Sequence, residues 1–227
     1  MEEGKLIVLE GACDGIGKST QIALLIDKLK KADKEYVTHH YPSYNEPQAK
    51  IAEMYQDGEL GDHKKLSPYF IYSSYALDRA VSWIKELKEE YESGKVILCD
   101  RYSTSSLIYQ STLFDDEIEK EKFINFVFDY EYDLLKNKKP DLVIFLTAPY
   151  DIIESFSRKR EEETSDKKSV HENDLSYMRK VYDNANELAK RFNWKIVNYM
   201  DGERVKTVDE ISEEIASIIN EKLGLNI

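Results

Sequence analysis

The chain has 227 residues, 41% hydrophobic and 33% charged, which suits a folded globular protein with one α/β core and excludes a disordered chain. No apolar run approaches the roughly 18–20 residues that span a bilayer, and Met1-Glu2-Glu3-Gly4-Lys5 leads straight into an apolar strand, so a cytoplasmic protein with no membrane partner is expected. The formal charge of −12 excludes a general nucleic-acid-binding surface, so any polyanionic ligand must meet a local cationic pocket.

Short β-branched runs at Lys5–Glu10, Glu35–Tyr41, Lys95–Asp100, Asp141–Thr147 and Lys195–Tyr199 read as strands buried on both faces. Amphipathic helices lie between them: Ile22, Leu25, Ile26 and Leu29 fall at i, i+3, i+4 and i+7, and Ile211, Ile215, Ile218 and Ile219 repeat the pattern. Strand–helix alternation requires crossover connections, which predicts an α/β three-layer sandwich: a parallel sheet with helices on both faces. With no internal repeat and no Pro/Gly/Ser-rich linker, residues 1–227 read as one domain. Cys13 and Cys99 have no metal-ligand spacing and read as small, reduced, buried thiols. The segment Arg158–His171, RKREEETSDKKSVH, is almost wholly polar and reads either as a solvated loop between two helices or as a mobile lid that brings Arg158 and Arg160 over a nucleotide.

The first strand runs into Gly11-Ala12-Cys13-Asp14-Gly15-Ile16-Gly17-Lys18-Ser19-Thr20 and a helix follows. Glycines let backbone N–H groups converge on phosphate oxygens, and the helix start adds its positive dipole end. Lys18 supplies a mobile cation for the β- and γ-phosphates, and Ser19 a hydroxyl for Mg²⁺. This is the pattern of a P-loop, with one departure. The usual spacing is G-x-x-x-x-G-K-[ST], whereas five residues separate Gly11 from Gly17. Either Ala12 stands in for the first glycine, or the loop has an extra residue; the intact run Asp14–Ser19 favours placing such a surplus at Ala12-Cys13, as a bulge.

The strand ending at Asp100 continues as Arg101-Tyr102, then Ser103-Thr104-Ser105-Ser106-Leu107-Ile108-Tyr109-Gln110. Ligands bind at the carboxyl ends of strands in open α/β sheets, so this stretch should lie beside the P-loop. Tyr75 and Arg79 sit at i, i+4 on one helix face.

With these stretches in hand the chain resembles the thymidylate kinase family. The resemblance rests on EG-x-x-DG-x-GKSTQ (Glu10–Gln21), Tyr41-Pro42, YALDR (Tyr75–Arg79), DRY-x-x-S-x-x-x-YQ (Asp100–Gln110) and PDLVIFLTAP (Pro140–Pro149), in the family's order over most of the chain. It implies a homodimeric, Mg²⁺- and ATP-dependent enzyme that phosphorylates dTMP to dTDP on a five-stranded parallel sheet with a short lid. Carried over, Tyr75 stacks on the base and Arg79 donates to thymine O4. Ser106 and Gln110 face the base edge, and Tyr109 lies against C2′ of the sugar. Asp14 holds the sugar 3′-hydroxyl, Arg101 bridges donor and acceptor phosphates, and Asp100 orders water around Mg²⁺. Lys18, Arg101, Arg158 and Arg160 supply the catalytic cations, and Gly11, Asp14, Gly15, Ile16, Gly17, Lys18, Ser19 and Thr20 the ATP cradle. The alternative for Arg79 is an ion pair with a neighbouring carboxylate such as Asp78 or Glu86. The chain departs from many members at Ser43-Tyr44-Asn45-Glu46-Pro47, which has no arginine for the acceptor phosphate, and at Ser111, where glycine is usual.

Two rival readings share the scaffold. A deoxynucleoside kinase would use Glu10 as a base for a sugar 5′-hydroxyl. A catalytically silent nucleotide-binding protein would carry the lengthened P-loop as its signature.

Overall fold

The computed structural model describes residues 3–163 and 174–227, without the side chains of His63 and of residues 160–163. Five parallel strands form one sheet in the order β2-β3-β1-β4-β5: β1 (Lys5–Gly11), β2 (Tyr36–His40), β3 (Val96–Asp100), β4 (Leu142–Thr147) and β5 (Lys195–Asn198). All five sequence-predicted strands are present, with ends within one residue of their expected bounds. A two-residue pairing of β6 (Met200–Asp201) with β7 (Arg204–Val205) has no counterpart in the sequence pattern, being too short to show alternation.

The period-two alternation of β1 and β3 explains why the runs look uniformly apolar. Ile7 and Leu9 of β1, with Val96 and Leu98 of β3, point into the larger core. Leu6 and Val8, with Ile97 and Cys99, point to the opposite face, against Trp83, Leu87 and Tyr91. Both faces are therefore covered. The helices are α1 (Lys18–Lys31), α2 (Lys50–Gln56), α3 (Pro68–Ser82), α4 (Lys88–Glu92), α5 (Ser103–Ser111), α6 (Glu117–Phe128), α7 (Tyr150–Glu163), α8 (Leu175–Arg191) and α9 (Val208–Leu223). Wider π-helical turns extend α3 through Trp83–Leu87 and α6 through Asp129–Leu134. α9 begins with a capping box in which Thr207 and Glu210 satisfy each other's backbone N–H groups.

The polar segment starting at Arg158 is not a loop throughout, because α7 runs to Glu163 and Arg158 pairs with Glu154 one turn earlier, at 3.2 Å. Its charge-rich composition is also that of a solvent-facing helix held by i,i+4 pairs, so composition alone could not separate the two. The side chain of Arg160 and all of residues 164–171, the rest of the expected lid, lie outside the described residues.

Candidate active site

The carboxyl ends of β1 and β3 bring the sequence-predicted residues to one place. β1 pairs with β4 as far as Gly11, and the N–H of Ala12 still donates to the carbonyl of Leu146 at 3.1 Å. The N–H of Gly11 is taken by the Glu10 carboxylate at 3.0 Å. The turn therefore starts after Ala12. Ala12 is fully buried and its φ is not positive, so a Cβ is tolerated at the position where a P-loop usually has its first glycine. Counted from Ala12, four residues precede Gly17, the ordinary spacing. The expected bulge at Ala12-Cys13 is thus absent: Cys13 packs into the core at 5% exposure, and burial raises its thiol pKa to about 12.

The rest of the loop has two left-handed glycines, Gly15 at φ 84° and Gly17 at φ 86°. A Cβ on Gly15 would come within 2.4 Å of the Ser157 hydroxyl, which itself donates to the Asp14 carbonyl at 3.0 Å. α7 is thereby seated against the loop. Gly17 caps α1 without any side-chain hydrogen bond, leaving the first-turn N–H groups of Lys18, Ser19 and Thr20 directed at the loop. Uncapped N–H groups at a helix start suit an anion.

Arg101 lies at the centre of the charges. Its backbone is left-handed, φ 68°, an uncommon state for a residue with a Cβ and one found at functional positions. Its Nη2 donates to Asp14, and its Nη1 lies 3.2 Å from the Ser105 hydroxyl and 3.5 Å from Glu10. Burial alone would lower its pKa, but Asp14, Tyr109 and Glu10 outweigh that and hold it well above the ordinary guanidinium value. Tyr109 donates to the second Asp14 oxygen at 3.2 Å, its ring under the Arg101 guanidinium, and Lys18 Nζ stands 4.0 Å from the first. Asp14, Lys18, Arg101 and Tyr109 thus form one cluster.

The candidate base pocket lies between α3 and α5. Tyr75 is half-buried, edge-on to Tyr55, one turn before Arg79. Arg79 is 1% exposed, and its partner is neither Asp78 nor Glu86 but Glu131, reached at 2.6 Å and 2.8 Å. A long-range pair of this kind leaves no local sequence signal, so the sequence alone does not point to Glu131. Arg79 Nη2 also approaches the Ser106 hydroxyl at 3.4 Å. Ser106 and Gln110, one turn apart on α5, are buried, and the Gln110 amide makes no side-chain hydrogen bond among the described residues. Tyr41 and Pro42 are buried and joined by a cis peptide, and Ser43 is tied through its N–H to Asp78 at 2.9 Å.

Asp100 carries the observation relevant to a metal. Its Oδ1 is buried at the end of β3 with no hydrogen-bond partner among the described residues. A carboxylate oxygen left unpaired is costly unless a ligand completes it. Together with the exposed Ser19 at the start of α1, it fits a site for hydrated Mg²⁺, a hard cation that takes oxygen ligands and keeps water.

The family model for thymidylate kinase matches residues 9–211. The chain belongs to the thymidylate kinase family. The thymidylate kinase of Caldicellulosiruptor saccharolyticus is 31% identical over 221 residues, covering 97% of this chain and 98% of that protein. The probable thymidylate kinase of Thermococcus kodakarensis is 32% identical over 226 residues, covering 96% and 98%. Among solved structures, thymidylate kinase of Candida albicans matches in fold with a TM-score of 0.72 at 23% identity over 98% of this chain and 94% of that one. That of Ehrlichia chaffeensis matches at 0.66 and 16% identity, over 96% and 100%. Thymidylate kinases are nucleoside monophosphate kinases, and the five-stranded parallel sheet of this chain is their P-loop α/β fold. Among the described residues no helix is long and apolar enough to cross a membrane.

Proposed function

We propose that the chain transfers the γ-phosphoryl group of ATP in line to the 5′-phosphate of dTMP, giving dTDP for dTTP synthesis. The observation that carries this reading is the Arg101 guanidinium, held between Asp14 and Glu10 beside Lys18 and the open start of α1. The acceptor oxygen is already ionised at neutral pH, so the reaction asks for positioning and charge neutralisation rather than a base. Lys18 and the N–H groups of Gly15 to Thr20 hold the donor phosphates. Arg101 is positioned to span donor and acceptor, and Asp14 and Tyr109 to meet the deoxyribose. Tyr75, Arg79, Ser106 and Gln110 line the base. Ser19 and Asp100 would hold Mg²⁺, which when bound neutralises charge on the β- and γ-phosphates.

The surroundings of Glu10 speak against the deoxynucleoside kinase. One oxygen takes the Gly11 N–H and faces Arg101, and the other accepts from Thr104 at 2.7 Å and Ser105 at 2.6 Å. Both oxygens are thus already engaged within the protein. The ordinary loop spacing counted from Ala12 removes the feature on which the silent-binder reading rested.

We read residues 1–227 as one domain with a lid around 158–171, acting as a homodimer. Phe70, Leu77 and Ile84 recur every seven residues along α3 and its π-helical extension and are 47%, 46% and 70% exposed, an apolar stripe suited to a second copy. The two buried, unbridged cysteines are compatible with a reducing cytoplasm.

The test is ADP release across dTMP, dUMP, dCMP and thymidine. dTMP should exceed dCMP in kcat/KM by at least about tenfold, because a donor facing the cytosine amino group leaves buried polar groups unpaired. Thymidine turned over in preference to dTMP would overturn the reading.

A further inference from the structure

A cavity of about 450 Å³ lies between the start of α5, the end of α6 and the segments that lead into β4 and β5. Its volume falls in the range of small-molecule sites. Four rings line it: Phe128 and Phe192 with centroids 5.3 Å apart, Trp194 stacked on Phe192 at 6.2 Å, and Tyr132 beside Phe128 at 6.0 Å. All four are only partly buried. Partly buried aromatic rings converging on one hollow offer a stacking surface for a flat ring.

The same hollow is edged by Lys139, Lys195 and Lys222. In a chain of formal charge −12 such a convergence of cations runs against the overall balance. Glu221 pairs with Lys222 and also attracts Lys195 without contacting it, whereas Lys139 has no ion-pair partner among the described residues and lies over the Tyr132 ring. The carboxylate that lines the cavity, Asp141, has one oxygen committed to the Leu6 N–H at 2.7 Å. Aromatic walls under a cationic rim match an aromatic ring that carries anionic groups.

We propose that this cavity is a second ligand site, for a nucleotide, with the base among Phe128, Phe192 and Trp194 and the phosphates on Lys139 and Lys195. The floor of the cavity connects it to the catalytic end. Ser103 and Thr104 line it from the first turn of α5, and Thr104 donates to Glu10, which faces Arg101 at 3.5 Å. An occupant that shifts the first turn of α5 acts on Arg101 through this contact, so occupancy changes turnover without competing with the acceptor.

The chain has two tryptophans, and Trp83 lies buried on the other face of the sheet, so in Trp83→Phe protein the emission reports Trp194 alone. That protein is titrated, with dTMP and ADP saturating, with dTTP and separately with the aromatic sulfonate 1-anilinonaphthalene-8-sulfonate. The expected result is a saturable change with dTTP, at least about tenfold weaker (about 1.4 kcal/mol) in Lys139→Glu/Lys195→Glu. Lys139→Gln/Lys195→Gln serves if the charge reversal lowers Tm. In wild-type protein dTTP should change kcat by about twofold or more, about 0.4 kcal/mol, an effect absent from the double variant. The same affinity in parent and double variant, or no saturable signal up to millimolar dTTP, overturns the site; sulfonate binding without dTTP binding overturns its assignment to nucleotides. dTTP binding that leaves kcat unchanged overturns the link through Thr104. The fluorescence readout does not depend on turnover, so a failed kinase reading and a failed second site remain distinguishable.

Discussion

Arg79 donates to Glu131 through Nε at 2.6 Å and Nη2 at 2.8 Å, and the two side chains are 1% and 0% exposed. Tyr72 and Asn137 also donate to Glu131, at 2.9 Å each, so the carboxylate is fully engaged. Burial alone would lower the Arg79 pKa, but Glu131 outweighs it and keeps the guanidinium charged. Removing one partner of such a pair strands the other as an uncompensated buried charge. Glu131→Gln should therefore lower unfolding free energy by about 3–5 kcal/mol, read by denaturant titration. In protein that still folds, the preference for dTMP over dCMP should shrink, since the guanidinium loses its fixed orientation. A loss below about 1 kcal/mol, the scale of an exposed pair, would mean that Glu131 does not carry Arg79.

Lys18 is 7% exposed, with its ammonium 4.0 Å from Asp14 and beside the uncapped start of α1. It acts on charge that develops during transfer, so its removal should cost kcat rather than stability. Lys18→Ala should lose at least about 10²–10³-fold in kcat, the scale of one lost charge-stabilising donor, while its Tm stays near that of the parent. Near-normal turnover in correctly folded Lys18→Ala protein would contradict the P-loop assignment.

The sequence made the sheet legible because its strands are buried on both faces and announce themselves as unbroken apolar runs. The P-loop pattern and the family motifs at the strand ends point to Asp14, Lys18, Arg101 and Tyr109, and the four meet in one cluster. What the sequence could not show were partners chosen across long separations. Glu131 stands 52 residues from Arg79, in a π-helical turn that no periodicity marks. Ser157 seats α7 on a loop 143 residues earlier through a single hydroxyl. The helical stretch 158–163 looked like a loop because its residues are polar on every side.

His39 has its Nε2 2.9 Å from the Ser43 hydroxyl, and Glu86 is 3.7 Å from Nδ1. Burial lowers its pKa below the ordinary 6.5, with Glu86, Asp78 and Glu46 opposing that shift and His40 adding to it. The unfolded chain therefore takes up a proton at this position before the folded one does. Stability should be fully present above pH 6.5, fall as the pH drops from there through the folded value, and then level off. His39→Gln should flatten that part of the profile, measured by urea denaturation between neutral and mildly acid pH. An identical acid slope in the variant would place the titrating group elsewhere.

Ala12 is held on the sheet by the Leu146 carbonyl at 3.1 Å, Cys13 is packed into the core, and α1 begins at Lys18. The span between these anchors has the ordinary length, and its N–H groups converge only if that length is kept. Deleting Cys13 should therefore weaken ATP binding by more than about tenfold (about 1.4 kcal/mol), because the strand or the helix must shift by a residue to close the gap. Ala12→Gly should leave ATP affinity unchanged, since Ala12 already has a φ open to any residue, and should cost stability by about 0.5–1 kcal/mol through the freer unfolded backbone. Calorimetric titration of both proteins with ATP separates the two effects. A Cys13 deletion that binds ATP as tightly as the parent would mean that the loop does hold a spare residue, and that Gly11 rather than Ala12 begins the cradle.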